Sequence, residues 1–192
     1  MGKLILIRHG ESTWNKLNKF TGQEDVPLTK PGIKEANNIK EKLKNAKIDY
    51  VFCSPLQRTI DTAKIAFPNN FKNKTFSIEE SLKERDYGLL TGQNKKKAKE
   101  KYGKGIVKYW RRSFNLRPPN GENLKDVSDR LIPLFYSKIN SLLKLDRNVV
   151  IVSHGNVIRT ILVLLKIETP QSILSKSIST GEILIFNISS IS

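Results

Sequence analysis

A single cysteine among 192 residues excludes any internal disulfide framework, and Cys53 reads as a buried thiol in a reducing compartment. Long hydrophobic runs are missing as well. A bilayer span needs ~20 apolar residues, whereas residues 4–7 and 161–165 are each only a handful. The opening lacks the layout of a signal peptide. Met1-Gly2 has the start of a myristoylation signal, but position 6 is Leu where Ser or Thr is needed. These absences predict a soluble, cytoplasmic protein with no membrane partner. Internal repeats and low-complexity stretches are not evident either.

Acidic residues are scarce, 18 against 34 Lys and Arg, for a formal net charge of +16. That excess first suggests nucleic acid or an anionic membrane. Most of it is Lys strewn through segments also rich in Asn and Ile, however, as a general compositional preference produces, so no nucleic-acid partner is expected. The length predicts one domain, residues 1–192, burying around 70% of its unfolded surface without staples.

Histidine is scarce too, with two copies. Neither has a Cys or carboxylate at zinc-like spacing, so no metal centre is expected. Both stand in the same context. Leu4, Ile5, Leu6 and Ile7 read as a strand buried on both faces, running into Arg8-His9-Gly10. Val149, Val150, Ile151 and Val152 do the same before Ser153-His154-Gly155-Asn156. In an open α/β sheet, ligands bind beyond the carboxyl ends of strands, which places both imidazoles on a crevice. A Gly after each allows a sharp turn and close approach to a ligand. Arg8 supplies a planar, bidentate cation for phosphate. A neutral imidazole can attack phosphorus while a second donates to the oxygens that gain charge.

Along the chain, residues 16–26 read as a polar crevice loop, in which Asn15 and Thr21 can donate to phosphate and Gly22 can bring its N–H to a carboxylate. Thr29 looks like an N-cap for a helix carrying Ile33, Ala36, Ile39 and Leu43. A second strand, Tyr50–Cys53, leads to a helix expected to open with Ser54 as N-cap and Pro55 at its first position, with Arg58 in the first turn, where anions are favoured. Residues 67–74 read as a loop and 75–78 as a strand. The irregular segment after it carries Glu84, Arg85 and Tyr87. A basic helix runs from Lys95 to about Tyr102, and a further one over 106–114 packs Trp110 inward and presents Arg111 and Arg112. Two adjacent arginines either pair with acids or hold phosphate; phosphate is the favoured reading. A long amphipathic helix over 124–139 is expected to bend near Pro133, and a last strand covers 182–186. This alternation predicts an α/β fold, a three-layer sandwich whose mostly parallel sheet has helices on both faces.

The runs Arg8-His9-Gly10-Glu11-Ser12-Thr13-Trp14-Asn15, Phe20-Thr21-Gly22, Cys53-Ser54-Pro55-Leu56-Gln57-Arg58, Glu84-Arg85-Asp86-Tyr87-Gly88, Gly92-Gln93-Asn94-Lys95, Tyr109-Trp110-Arg111-Arg112 and Ser153-His154-Gly155-Asn156 occur in one order over nearly the whole chain. In that order they resemble the cofactor-dependent phosphoglycerate mutases of the histidine phosphatase superfamily. The resemblance implies the phosphoglycerate mutase-like fold and interconversion of 3-phosphoglycerate and 2-phosphoglycerate in glycolysis and gluconeogenesis, primed by 2,3-bisphosphoglycerate without a metal. It implies His9 as phosphoryl carrier and Glu84 as proton acid and base, with Arg8, Arg58 and His154 around the transferring group. Asn15, Thr21, Gly22, Arg85, Tyr87, Lys95, Arg111, Arg112, Gly155 and Asn156 would hold the rest of the substrate. Three departures stand out: a short connection at 118–122, a chain that stops just after its last strand, and Gln23 where an aromatic is common. The first two leave subunit number, a homodimer included, and site closure open. An open site lets water compete for a phosphohistidine, so a phosphatase acting on small phosphorylated metabolites is the alternative activity. A basic RNA-binding or scaffold protein is the alternative from another class.

Overall fold

Leu4, Ile5, Leu6 and Ile7 are all buried, as a strand covered on both faces requires. They lie in β1 (Lys3–Arg8) of a computed structural model that describes residues 2–188. Met1 and residues 189–192 lie outside the described residues. After β1 comes a one-turn helix α1 (Thr13–Lys16), at the head of what reads as a loop, and then α2 (Lys30–Leu43), capped by the Thr29 hydroxyl. Ala36, Ile39 and Leu43 of α2 are buried, but Ile33 is exposed.

Next come β2 (Tyr50–Cys53), α3 (Gln57–Ala66), the short α4 (Pro68–Phe71) inside the expected loop, and β3 (Phe76–Ile78). The N-cap of α3 is Leu56, not Ser54, and no side chain caps it. Ser54 is not the cap because the helix opens two residues later, and its hydroxyl is engaged by Leu56 N and His154 Nε2. Two helices, α5 (Lys95–Tyr102) and α6 (Lys104–Arg112), follow. The long amphipathic segment becomes α7 (Leu124–Leu134), a π-turn over Phe135–Ile139, and α8 (Asn140–Lys144). Pro133 has no N–H for the helical ladder, and the wider turn sets in just beyond it. β4 (Val149–Ser153), α9 (Gly155–Leu164) and β5 (Ile183–Asn187) complete the set.

The five strands form one sheet in the order β3-β2-β4-β1-β5, with β5 antiparallel and the other pairings parallel. Alternation sorts the core into two layers. Leu4, Leu6, Val149 and Ile151 pack beneath α7, α8 and α9, while Ile5, Ile7, Val150 and Val152 pack beneath α2 and α3. The helices that follow β1 and β4 therefore cover opposite faces, which opens a crevice between these strands at their carboxyl ends. A third cluster, Phe20, Leu90, Ala98 and Val107 with Tyr87, Tyr102 and Trp110 against it, lets α5 and α6 roof that crevice. Among the described residues, no helix is long and apolar enough to cross a membrane.

Candidate active site

Register puts the two histidines together. Arg8 pairs with Ser153 across the parallel β1–β4 ladder, so the next residue on each strand is an imidazole. Their ring centroids lie 5.0 Å apart at an interplanar angle of 64°. His9 Nδ1 stands 2.6 Å from the Gly10 carbonyl oxygen. A carbonyl can only accept, so Nδ1 carries the proton and Nε2 keeps its lone pair. Burial, then the Arg58 and Arg8 cations, hold His9 well below the usual imidazole range, and neutral imidazole is the nucleophilic form. Gly10 serves packing rather than ligand approach: a Cβ there would lie 2.3 Å from the Gly32 carbonyl oxygen, and one on Gly32 would lie 2.1 Å from that of Glu11. The His9 turn is thereby seated directly on the start of α2.

His154 is wholly buried behind His9 and does not itself line the cavity. Its Nε2 bonds Ser54 Oγ at 2.9 Å. Burial, then Arg58, His9 and Arg8, keep it neutral too.

In front of His9 lies a cavity of about 160 Å³. Among the described residues it is lined by seven cations, Arg8, Lys19, Arg58, Lys95, Arg111, Arg112 and Arg159, and by one carboxylate, Glu84. Several of these cations are tied down by backbone carbonyls. Arg58 donates to Gly22 O and Glu24 O at 2.8 and 2.7 Å, Arg8 to Ile178 O at 2.6 Å, and Arg112 to Leu174 O at 2.8 Å. Burial lowers Arg58 to about 10. For Arg159, burial and then Arg112 do the same, to about 10. Among the described residues, the buried Nε groups of Arg8, Arg58 and Arg111 and the Thr21 hydroxyl have no protein partner. Buried donors of this kind are costly unless something accepts from them. An oxyanion is the group that would satisfy cations and donors together.

Glu84 is fixed by two backbone donors to Oε1, Arg85 N at 2.8 Å and Asn156 N at 3.3 Å in the first turn of α9. Tyr87 lines the wall, its hydroxyl accepting from Asn156 Nδ2 at 3.0 Å. Lys95 enters from the N-terminus of α5; burial, then Arg111 and Arg8, lower its ammonium. At Gly155 a Cβ would meet Arg159 Nη1 at 3.3 Å and Arg8 Nε at 3.7 Å, so a bare backbone lets both guanidiniums close in.

The structure thus gathers His9, Arg8, Arg58, Glu84, Asn15, Thr21, Gly22, Tyr87, Lys95, Arg111, Arg112, Gly155 and Asn156 around one cavity. Two expected residues do not line it: His154, buried against His9, and Arg85, whose placement corrects the expectation that it meets substrate. Arg85 is fully buried away from the lining, stacked 4.6 Å from the Tyr87 ring centroid and donating to the Trp110 carbonyl. There it ties the Tyr87 wall to the end of α6. Asn15 reaches the cavity while its Oδ1 accepts from the backbone and side chain of Ser12. The lining also contains Lys19, Phe20, Ser177 and Ile178. Lys19 lay beside the Phe20-Thr21-Gly22 motif, a signal that could have found it; Ser177 and Ile178 come from a segment with no motif of its own. Among the described residues, no group of three or more His, Cys, Asp or Glu is placed to hold a metal.

Fold and pocket together define a class: α/β proteins with a cation-lined cavity in front of a buried histidine. The model of the histidine phosphatase superfamily (branch 1) matches residues 4–190, and the chain belongs to that superfamily. The 2,3-bisphosphoglycerate-dependent phosphoglycerate mutase of Chlamydia muridarum is 36% identical, over 97% of this chain and 93% of that protein. The phosphoglycerate mutase of Schizosaccharomyces pombe is 40% identical, over 96% of this chain and 89% of its own. Among solved structures, a mycobacterial glucosyl-3-phosphoglycerate phosphatase in complex with VO3 shares the fold at a TM-score of 0.85, with 24% identity over 96% of this chain and 92% of that one. The α-ribazole phosphatase of Shigella flexneri gives 0.79 at 25% identity, over 95% and 89%.

Proposed function

We propose that this protein interconverts 3-phosphoglycerate and 2-phosphoglycerate through a phosphoryl group carried on His9 Nε2, primed by 2,3-bisphosphoglycerate. Its support is the cavity itself, where a buried neutral nucleophile faces seven cations and partnerless buried N–H groups on three of them. A ligand with anionic groups at both ends fits that donor set, and 2,3-bisphosphoglycerate when bound supplies the phosphoryl group that loads the enzyme. The mutase names of relatives at 36–40% identity agree.

Each residue then has a task. His9 Nε2 forms the N–P bond as the ester P–O bond breaks. Arg8 and Arg58 neutralise the phosphoryl oxygens while the group moves in line, and the neutral His154 ring donates a hydrogen bond to them. Lys95, Arg111, Arg112, Tyr87, Asn15 and the backbone near Thr21, Gly22, Gly155 and Asn156 hold the carboxylate and the second phosphate. Glu84, anchored through Oε1, keeps Oε2 for the proton: it gives one to the departing alkoxide and takes one from the attacking hydroxyl. Arg85 acts only by holding Tyr87 in place.

The test is to add a catalytic amount of 2,3-bisphosphoglycerate to 3-phosphoglycerate and follow both monophosphates. Stimulated interconversion is expected. Release of inorganic phosphate with no interconversion would replace the mutase by a phosphatase using the same histidine.

A further inference from the structure

We infer that Ser54 is a positioning residue that fixes His154 in the Nδ1–H tautomer, so that this ring presents a hydrogen-bond donor to the transferring phosphoryl group. The role deepens the phosphoryl-transfer function proposed above and rests on it.

The Ser54 hydroxyl can donate one hydrogen bond and accept two. It accepts from Leu56 N at 3.3 Å. Its only other partner among the described residues is His154 Nε2 at 2.9 Å. The hydroxyl proton therefore has one acceptor within reach, the imidazole nitrogen. Were Nε2 to carry the proton, two donors would converge on Oγ and the buried hydroxyl proton would go unmatched, an arrangement that buried polar groups avoid. With the hydroxyl donating, Nε2 is the acceptor, and a neutral ring keeps its proton on Nδ1.

The other nitrogen points to the same answer. Nδ1 is buried with no protein partner among the described residues, and its ring lies edge to face against His9. A lone pair there would repel the oxygens of a phosphoryl group arriving at His9, whereas an N–H would bind them as they gain charge. Neither Ser54 nor His154 is exposed at all, so water does not compete for these bonds. The Ser54 hydroxyl, which does not cap α3, is the group that meets His154.

Because the chain has only two histidines, a long-range nitrogen–proton spectrum of the full-length protein labelled with 15N-histidine contains two imidazoles, and His9→Gln assigns them. The expected wild-type pattern for His154 is a protonated Nδ1 and a bare Nε2, with the Nδ1 proton moving downfield on addition of inorganic phosphate. In Ser54→Ala that preference should give way to a tautomer mixture, and phosphoenzyme formation should slow at least tenfold in kcat with KM changed less than twofold. Ser54→Thr, which restores the hydroxyl, should recover both. A protonated Nε2 on wild-type His154 would overturn the inference. So would an unchanged tautomer and rate in folded Ser54→Ala. The tautomer is read on the resting protein, so failure of the mutase activity alone would not be mistaken for failure of this role.

Discussion

His9 is set apart by the proton it does not take. Burial first, and then two arginines, keep both His9 and His154 neutral in the folded chain, whereas in the unfolded chain each titrates near its ordinary value of about 6.5. Below that pH the unfolded state binds protons that the folded state refuses. Stability should therefore be full above about pH 7 and fall as pH drops below about 6.5, by up to about 1.4 kcal/mol per pH unit for each ring. Thermal melts between pH 8 and 5 check this, and His154→Gln should flatten the slope; an equal slope in the variant would contradict it. At the far end of the cavity, Lys95→Ala should raise KM for phosphoglycerate by ten-fold or more while altering phosphoenzyme formation much less, since it removes a binding cation and not the nucleophile. Equal losses in both would show that Lys95 serves the transferring group instead.

Among the elements, two devices hold the reacting residues in place. One is the Gly10–Gly32 contact, where the His9 turn rests on the backbone at the start of α2. Gly32→Ala puts a methyl within 2.1 Å of the Glu11 carbonyl oxygen and should cost about 1–3 kcal/mol, measured by urea unfolding, with a larger proportional loss of activity as His9 shifts. The other is Arg130 of α7, which grips the segment carrying Glu84 through the carbonyls of Ser81, Lys83 and Glu84 and the carboxylate of Glu122. Arg130→Met should lower kcat more than it raises KM, because Glu84 loses its placement and not its carboxylate. A KM effect alone would reject that role. Much at this scale was legible beforehand: the strands that deliver both histidines, the Thr29 cap and the basic helix from Lys95 are written in local pattern. Ser54 and Arg85 were not, since a hydroxyl's choice between its own helix and His154, or a guanidinium's between substrate and the Trp110 carbonyl, is settled by residues distant in sequence. Pro133 announced a bend; only packing on the sheet decides that it becomes a π-turn.

Across the whole molecule the excess of positive charge has two destinations. Most lysines cover exposed helix faces, while the motif arginines other than Arg85 converge on one cavity around a single carboxylate. An overall charge of +16 should draw small anions toward the mouth, so kcat/KM for phosphoglycerate should fall as ionic strength rises from 20 to 200 mM, with kcat nearly constant. A salt-independent kcat/KM would leave the cations with no part in capture. Whether His9 carries the phosphoryl group is read by incubating the protein with 2,3-bisphosphoglycerate labelled in its phosphates, quenching in base and locating the label by peptide mapping. An acid-labile, base-stable phosphate on His9, absent from His9→Ala, is the predicted result. Label on any other residue, or label retained by folded His9→Ala, would contradict it.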